Sequence, residues 1–174
     1  YNYIARSLDL GSYGVMIPMV NDEKEADAIV KYSKYPPVGL RGAGFGFAHN
    51  DYKNDSPNDL IKAANENLIN ILQIESKIGL DNVEKIAQVK DVDCLWVGHF
   101  DLTNFLGVPG QFQSKIYLDA IDRIINAAKS ANKSLGIMVS SKEDLVFYDK
   151  LGFNIIAVGT EMNFLTQSIK TIIS

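Results

Sequence analysis

Five short apolar runs, separated by longer segments with helical periodicity, constrain this chain more than any other feature of its sequence. Apolar residues fill odd and even positions alike in these runs, so both faces of each strand are expected to be covered. Buried strands that alternate with helices are typical of a parallel sheet, and they predict an α/β fold. The runs cover residues 13–20, 70–75, 93–98, 135–140 and 154–159.

Helix signals mark the segments between the runs. Ser56 stands before a proline, and this pair predicts a capped helix at about Pro57–Asn67. A capping box over residues 140–143 predicts the start of another helix, and a further apolar stripe follows Thr160. A single helix is also predicted between the second and third runs. Its apolar stripe comprises Leu80, Val83, Ile86 and Val89.

Alternating strands and helices are compatible with an open, doubly wound sheet or with a closed (β/α)8 barrel. Polar residues favour the barrel, because Gln73 and Glu75 end one strand and Asp101 follows the next. Barrel enzymes carry their chemistry at that rim, and a complete barrel takes about 250 residues, or about 200 at the small end. We therefore predict one domain over residues 1–174, a (β/α)8 TIM barrel that lacks about three N-terminal strands.

The composition argues against several classes of function. The chain has 174 residues, of which 47% are hydrophobic, and a net charge of −4, as expected for a soluble globular domain. Lys and Arg residues are scattered, so neither nucleic acid nor a membrane surface is an expected partner. No apolar stretch reaches the roughly 20 residues of a membrane span. Cys94 is the only cysteine, so a buried thiol without a disulfide is expected, in a cytoplasmic protein.

Two carboxylates form the most informative pattern for chemistry. Glu75 and Asp101 are about one βα repeat apart, so their strands are expected to be neighbours about 4.8 Å apart. Hard oxygen ligands without His or Cys suit Mg²⁺ or Mn²⁺, which keep several waters. Gln73 lies two positions before Glu75 and hence on the same face of its strand. The alternative is that Glu75 caps a helix and Asp101 is a solvated loop acid.

Other polar residues give weaker signals. The glycine-rich residues 42–46 follow no strand and open no helix, so they do not meet the requirements of a dinucleotide-binding loop. Arg41 is expected to anchor this loop through a carboxylate or backbone carbonyls, with an anionic substrate or a partner subunit as alternatives. His99 is placed to donate to a substrate or to act as a base, whereas His49 lies in a polar loop; a non-catalytic role is the default for each.

Several segments together resemble the HpcH/HpaI aldolase family. They comprise residues 14–20, 35–42, 73–75, 98–102 and 157–159, and their order agrees with the family over nearly the whole chain. The resemblance implies a (β/α)8 barrel of the phosphoenolpyruvate/pyruvate type. It also implies a class II, metal-dependent lyase that cleaves a 2-oxo-4-hydroxy acid to pyruvate and an aldehyde through a metal-stabilised enolate.

The resemblance assigns roles to individual residues. Glu75 and Asp101 correspond to the metal ligands for Mg²⁺ or Mn²⁺, with Co²⁺ also compatible, and Gln73 to the active-site glutamine. The backbone N–H groups of Phe100 and Asp101, in the turn that begins at Gly98, would bind the pyruvate carboxylate. The family also forms homo-oligomers, hexamers or trimers, in which the last helix packs on a neighbouring subunit.

Two features depart from the family pattern. Members usually carry Gly-Pro-x-Asp-Leu at the second ligand, whereas this chain has His99 in place of the proline, followed by the bulky Phe100. The general-base histidine and substrate-binding arginine of the family lie in N-terminal segments without a match here, and Arg6 and His99 do not occupy those positions. A non-catalytic or truncated homologue that binds metal and 2-oxo acid is therefore an alternative, as is a citrate-lyase β or malyl-CoA-type lyase.

Overall fold

A computed structural model describes residues 1–173 as five parallel strands covered by helices. Each strand overlaps one of the five apolar runs, so the predicted α/β fold with a parallel sheet is confirmed. The strands are β1 Gly14–Ile17, β2 Ile69–Ile74, β3 Cys94–Val97, β4 Ser134–Val139 and β5 Ile155–Val158.

The helices follow the predicted alternation. Ser56 caps a helix over Pro57–Asn67, as predicted, by accepting a hydrogen bond from the backbone N–H of Asp59. A 3-10 helix covers Ala48–Asn50. None of the helices within residues 1–173 is long and apolar enough to cross a membrane. The α-helices are α1 Asn2–Asp9, α2 Glu23–Ser33, α3 Pro57–Asn67, α4 Lys77–Asp81, α5 Val83–Gln88, α6 His99–Phe105, α7 Lys115–Ser130, α8 Lys142–Leu151 and α9 Glu161–Ile173.

Two helix predictions were wrong in detail. Ser141, rather than Ser140, caps α8, because its Oγ accepts a 3.0 Å hydrogen bond from the N–H of Asp144. The single helix predicted between β2 and β3 is divided into α4 and α5 at Asn82. The Asn82 side chain donates a 3.0 Å hydrogen bond to the carbonyl of Asn21, which ties the break to the turn after β1.

The order of the strands places all polar strand ends at one rim. A doubly wound sheet reverses its strand order at a switch point. Here each strand pairs with the next one along the chain, in the order β1-β2-β3-β4-β5. The sheet curls into a parallel half-barrel of five strands. Because all five strands are parallel, the residues that follow their carboxyl ends lie at the same edge.

Alternate residues of each strand face the helices or the concave side of the sheet. On the concave side, Trp96 pairs with Gln73 on one neighbouring strand and with Gly136 on the other. A Cβ atom at Gly136 would overlap the Trp96 ring, so this glycine provides the space for the indole beside Gln73. The helix-facing residues form the hydrophobic core, which includes Leu72, Ile74, Leu95, Val97 and Ile137.

The connection between α2 and α3 begins at the opposite, amino-terminal edge of the sheet. Arg41 in this connection is only 4% exposed, and its Nη2 donates a 2.6 Å hydrogen bond to Oδ1 of Asp9. Its guanidinium also lies over the Tyr35 ring, 4.6 Å from the centroid. The predicted anchoring of the loop by Arg41 through a carboxylate is therefore confirmed.

Cys94 lies on the concave side of β3 and is fully buried. Burial raises the pKa of its thiol to about 12, so the thiol stays protonated at neutral pH. The predicted buried thiol is confirmed.

Candidate active site

Glu75 directly follows β2 and lies at the carboxyl rim, where it is only 3% exposed. Its Oε1 accepts a 2.8 Å hydrogen bond from the backbone N–H of Met19, and its Oε2 accepts a 2.5 Å hydrogen bond from Nε2 of Gln73. The prediction that Gln73 and Glu75 share a face is confirmed by this contact. Two donors fix the orientation of the carboxylate, while each oxygen keeps a lone pair for a further partner.

Met19 supplies one of these donors from a left-handed backbone conformation, with φ of 56°. For a residue with a side chain this conformation costs about 1–2 kcal/mol. Asn21 supports the turn, because its Nδ2 donates a 2.7 Å hydrogen bond to the carbonyl of Met19. The strained turn directs a backbone N–H group at Glu75. Sequence reasoning missed Met19, since a backbone donor leaves no signal in residue type.

Gly98 follows β3 and passes directly beside Glu75. A Cβ atom at Gly98 would overlap Oε2 of Glu75 and would lie 2.7 Å from Nε2 of Gln73. Only a residue without a side chain therefore fits between β3 and this pair. The structure thus places the glycine of the predicted substrate-binding turn against the predicted metal ligand.

Asp101 lies in the first turn of α6, three residues after Gly98. Since β2 and β3 are paired neighbours, Glu75 and Asp101 follow adjacent strands at one rim, as predicted. The Glu75 side chain is buried and Asp101 is exposed. Phe100 is also exposed, whereas Leu102 and the residue after it are buried, so α6 turns the side that carries Phe100 and Asp101 to the solvent.

Glu75 and Asp101 are the two carboxylates predicted to bind a divalent ion. Within residues 1–173, no cluster of three or more His, Cys, Asp or Glu side chains is assembled at metal-binding distance. A closed zinc site needs four such ligands. Mg²⁺ is commonly bound by one or two carboxylates and retains several waters, so this donor set fits an open oxygen-ligated site.

His99 belongs to an aromatic cluster beside this rim. The centroid of its ring lies 4.6 Å from that of Phe100 and 5.0 Å from that of Phe112. Phe112 in turn lies 5.1 Å from Phe100 and 5.8 Å from Tyr117. Burial lowers the pKa of His99, with the nearby Asp144 carboxylate opposing the shift, so the imidazole is neutral at neutral pH. Phe112 and Tyr117 carry no sequence motif that would have placed them beside His99.

Comparison with known proteins identifies the family. The sequence profile of the HpcH/HpaI aldolase/citrate lyase family matches residues 2–168. The chain belongs to this family. Its relatives in the family include the hydroxypyruvate/pyruvate aldolase of Chromohalobacter salexigens, which is 34% identical over 171 residues. They also include the 5-keto-4-deoxy-D-glucarate aldolase of Shigella boydii, which is 35% identical over 159 residues.

A solved structure from the family shares the fold of this five-stranded half-barrel over nearly the whole chain. The HpcH/HpaI aldolase/citrate lyase family protein from Burkholderia cenocepacia superposes with a TM-score of 0.90 at 29% identity, and the match covers 98% of this chain and 67% of that protein. The chain aligns over 98% of its own length with the Chromohalobacter aldolase and over 91% with the Shigella aldolase. It spans 67% and 61% of those two relatives.

Proposed function

We propose that the protein is a carbon–carbon lyase that reversibly cleaves a 2-oxo-4-hydroxy acid to pyruvate and an aldehyde. The observation that carries this proposal is the carboxylate of Glu75. It is buried at the rim, held from two sides by Met19 and Gln73, and adjacent to the strand that leads to Asp101. The relatives named as pyruvate and 5-keto-4-deoxy-D-glucarate aldolases support the reaction class.

We further propose that Glu75 and Asp101 hold a divalent ion, Mg²⁺ or Mn²⁺, with Co²⁺ as another candidate. Such an ion would polarise the 2-oxo carbonyl and stabilise the negative charge that develops when the carbon–carbon bond breaks. Gln73 and the N–H of Met19 keep the Glu75 carboxylate in one orientation, so little reorganisation is needed when a ligand arrives.

The first turn of α6 is the proposed site for the pyruvate carboxylate. The first N–H groups of an α-helix have no partner within the helix. In α6 the earliest intrahelical bond runs from Leu102 N–H to the Gly98 carbonyl, at 2.9 Å, which leaves the N–H groups of Phe100 and Asp101 available. Within residues 1–173, His99 is the candidate for a secondary role in proton transfer, and its pKa, lowered by burial, supports such a role for the neutral imidazole.

The acid–base half of the reaction is proposed to come from outside these residues. The chain spans 61–67% of the length of the relatives described above. We therefore propose that residues 1–174 are part of one barrel domain, and that the rest of the protein supplies the remaining strands of its eight. That part would also carry the general base and the substrate-binding arginine.

A homo-oligomer, either a hexamer or a trimer, is the proposed assembly. The helix α9 has no buried residue, although apolar side chains run along its length. Burial of these side chains on another copy would remove a large apolar surface from water. Residues of a neighbouring subunit could then border the aldehyde side of the active site.

The test is pyruvate release from a panel of 2-oxo-4-hydroxy acids by the full-length protein, with and without Mg²⁺ or Mn²⁺. Glu75→Gln and Asp101→Asn should each abolish metal-dependent turnover. Glu84→Gln is a matched control, because Glu84 forms a surface ion pair with Arg123 on the helical side of the sheet. Unchanged activity in both active-site variants would contradict the proposed metal-dependent lyase function.

A second candidate function is a non-catalytic protein that binds a metal ion and a 2-oxo acid. The replacement of the usual proline by His99, together with the bulky Phe100, favours this alternative. Calorimetry with Mn²⁺ and oxalate would detect the binding. Tight binding without turnover in the full-length protein would support it, whereas turnover would exclude it. Carbon–carbon cleavage of a 3-hydroxyacyl-CoA, with release of acetyl-CoA and a 2-oxo acid, would instead indicate a citrate-lyase β or malyl-CoA-type lyase.

A further inference from the structure

Phe100 exposes a large aromatic surface at the candidate active site. It immediately precedes Asp101 on α6, and it is 58% exposed although Phe112 packs against one side of its ring at 5.1 Å. Leaving so much aromatic surface in water forgoes hydrophobic burial. We call Phe100 and Phe112 the aromatic wall.

The aromatic wall is held in place from the protein core. Phe112 packs edge-on against Tyr117, which is fully buried. Thr103 connects the two parts of the wall, because its Oγ1 donates a 2.8 Å hydrogen bond to the Phe100 carbonyl and accepts a 3.1 Å hydrogen bond from the N–H of Gly110. The loop that carries Phe112 is thus tied to the first turn of α6. The exposed face of Phe100 is a preformed surface.

The chemistry of the substrate indicates what this surface meets. Pyruvate has three carbons. In the proposed reaction its carboxylate would bind the main-chain N–H groups of α6, and its 2-oxo oxygen would lie at the metal ion held by Glu75 and Asp101. Carbon 3 and the aldehyde-derived carbons bonded to it are what remain for a side chain to contact. Phe100 precedes Asp101 on the exposed side of α6. We therefore infer that these carbons would lie against its ring.

We propose that Phe100, backed by Phe112, binds the aldehyde-derived part of the substrate and selects aldehydes with an apolar or aromatic substituent over polyhydroxylated ones. This inference rests on the proposed lyase function. An aromatic face stacks well on apolar and aromatic groups. It offers no strong hydrogen bond to a hydroxyl group, so a polyhydroxylated chain would lose water there without replacement.

A competition experiment tests the selection. The full-length protein, with Mg²⁺, receives pyruvate and equal concentrations of benzaldehyde and glyceraldehyde, and the ratio of the two aldol products is measured. The wild type should favour the benzaldehyde product, and Phe100→Ala should lower the ratio by about ten-fold. Phe105→Ala is the matched control, since Phe105 lies on the same helix and is 51% exposed. It should leave the ratio unchanged.

A product ratio is independent of how much protein is folded, so loss of stability in a variant cannot imitate the result. An unchanged ratio in Phe100→Ala, or a wild-type preference for glyceraldehyde, would overturn the inference.

A binding measurement separates failure of the inference from failure of the proposed function. If neither aldehyde reacts, pyruvate release from the panel of 2-oxo-4-hydroxy acids decides the lyase proposal separately. Calorimetry with Mn²⁺ then compares 2-oxo-4-phenylbutanoate with pyruvate. The wild type should bind the phenyl compound more tightly, and Phe100→Ala should reduce that advantage by about ten-fold. Equal affinities in the wild type would overturn the role of the aromatic wall, whatever the catalytic result.

Discussion

Nε2 of Gln73 donates a 2.5 Å hydrogen bond to Oε2 of Glu75, two residues later on the same side of the chain. The amide nitrogen of Gln73 is thereby engaged with the carboxylate of Glu75. In the proposed site, Gln73 would therefore act on the metal ion through Glu75. Its contribution can be separated from that of the ligand itself.

The first prediction concerns this positioning role. Gln73→Leu should weaken Mn²⁺ binding by about ten-fold, because partners that orient a ligand typically contribute 10- to 100-fold in affinity. Glu75→Gln should weaken it further, since it removes a negative charge from the site. Mn²⁺ titration followed by electron paramagnetic resonance measures both. Equal Kd values for Gln73→Leu and the wild type would show that Gln73 does not position Glu75.

Gly98→Ala should disrupt the site by crowding. The added Cβ would overlap Oε2 of Glu75 and approach Gln73, so either β3 or the carboxylate must move. Overpacking of this kind costs about 1–3 kcal/mol in the free energy of unfolding. Gly42→Ala is the control, because its Cβ would meet only the hydroxyl at the end of the Tyr1 side chain, at 3.2 Å. Urea unfolding and Mn²⁺ titration should both distinguish the two variants; equal effects would contradict the crowding argument.

The sequence predicted those features that repeat or that depend on residue type. Continuous apolar runs located all five strands, and Ser56 followed by a proline located α3 to the residue. The neighbouring positions of Glu75 and Asp101 followed from the length of one βα repeat. The apolar stripe continues across the interruption between α4 and α5, so the periodicity did not predict the helix break at Asn82.

Long-range contacts of the site could not be predicted from the sequence, because they depend on how turns and loops fold. The donor to Glu75 from Met19 is a backbone group 56 positions away along the chain, and its direction depends on a left-handed turn. Phe112 lies in an irregular loop without periodicity, so its packing on Phe100 required the fold of that loop.

The exposed apolar face of α9 should hold subunits together. Leu165 and Ile169 lie one helical turn apart and are both exposed, so aspartate at each position would place charge in any interface there. The double variant Leu165→Asp/Ile169→Asp should form a smaller assembly than the wild type, and so should a chain that ends at Gly159. Gln167→Asp is the control on the same helix. Sedimentation velocity gives the assembly size, and an oligomer of unchanged size in both altered chains would contradict the assignment.

Cys94 should be unreactive until the protein unfolds. Burial raises the pKa of its thiol to about 12 from an ordinary value of 9.0. Only the thiolate attacks disulfide reagents, and at pH 8 its population in the native state should be roughly a thousand-fold lower than in the unfolded chain. The rate of reaction with Ellman's reagent at pH 8, with and without denaturant, measures the difference. A native rate close to the denatured rate would show that the thiol is exposed by local opening.

The hydrogen bond between the hydroxyl groups of Tyr117 and Tyr148 should stabilise the folded protein where Tyr117 packs against Phe112 of the aromatic wall. Their Oη atoms lie 2.9 Å apart in the core. Tyr148→Phe would leave the buried Tyr117 hydroxyl without its partner, at a cost of about 1–3 kcal/mol in the free energy of unfolding. The double variant Tyr117→Phe/Tyr148→Phe should be less destabilised than the sum of the single variants, because it leaves no orphaned hydroxyl.

The same pair predicts a dependence of stability on pH. Burial raises the pKa of both hydroxyls, so the unfolded state releases these protons at a lower pH than the folded state does. Above pH 10 the unfolded state therefore gains stability relative to the native one, and the wild type should lose stability as the pH rises. Urea unfolding at pH 7 and pH 10.5 should show a smaller loss for the double variant than for the wild type or for Tyr52→Phe, an exposed control. Identical losses in all three proteins would rule out the Tyr117–Tyr148 pair as the source.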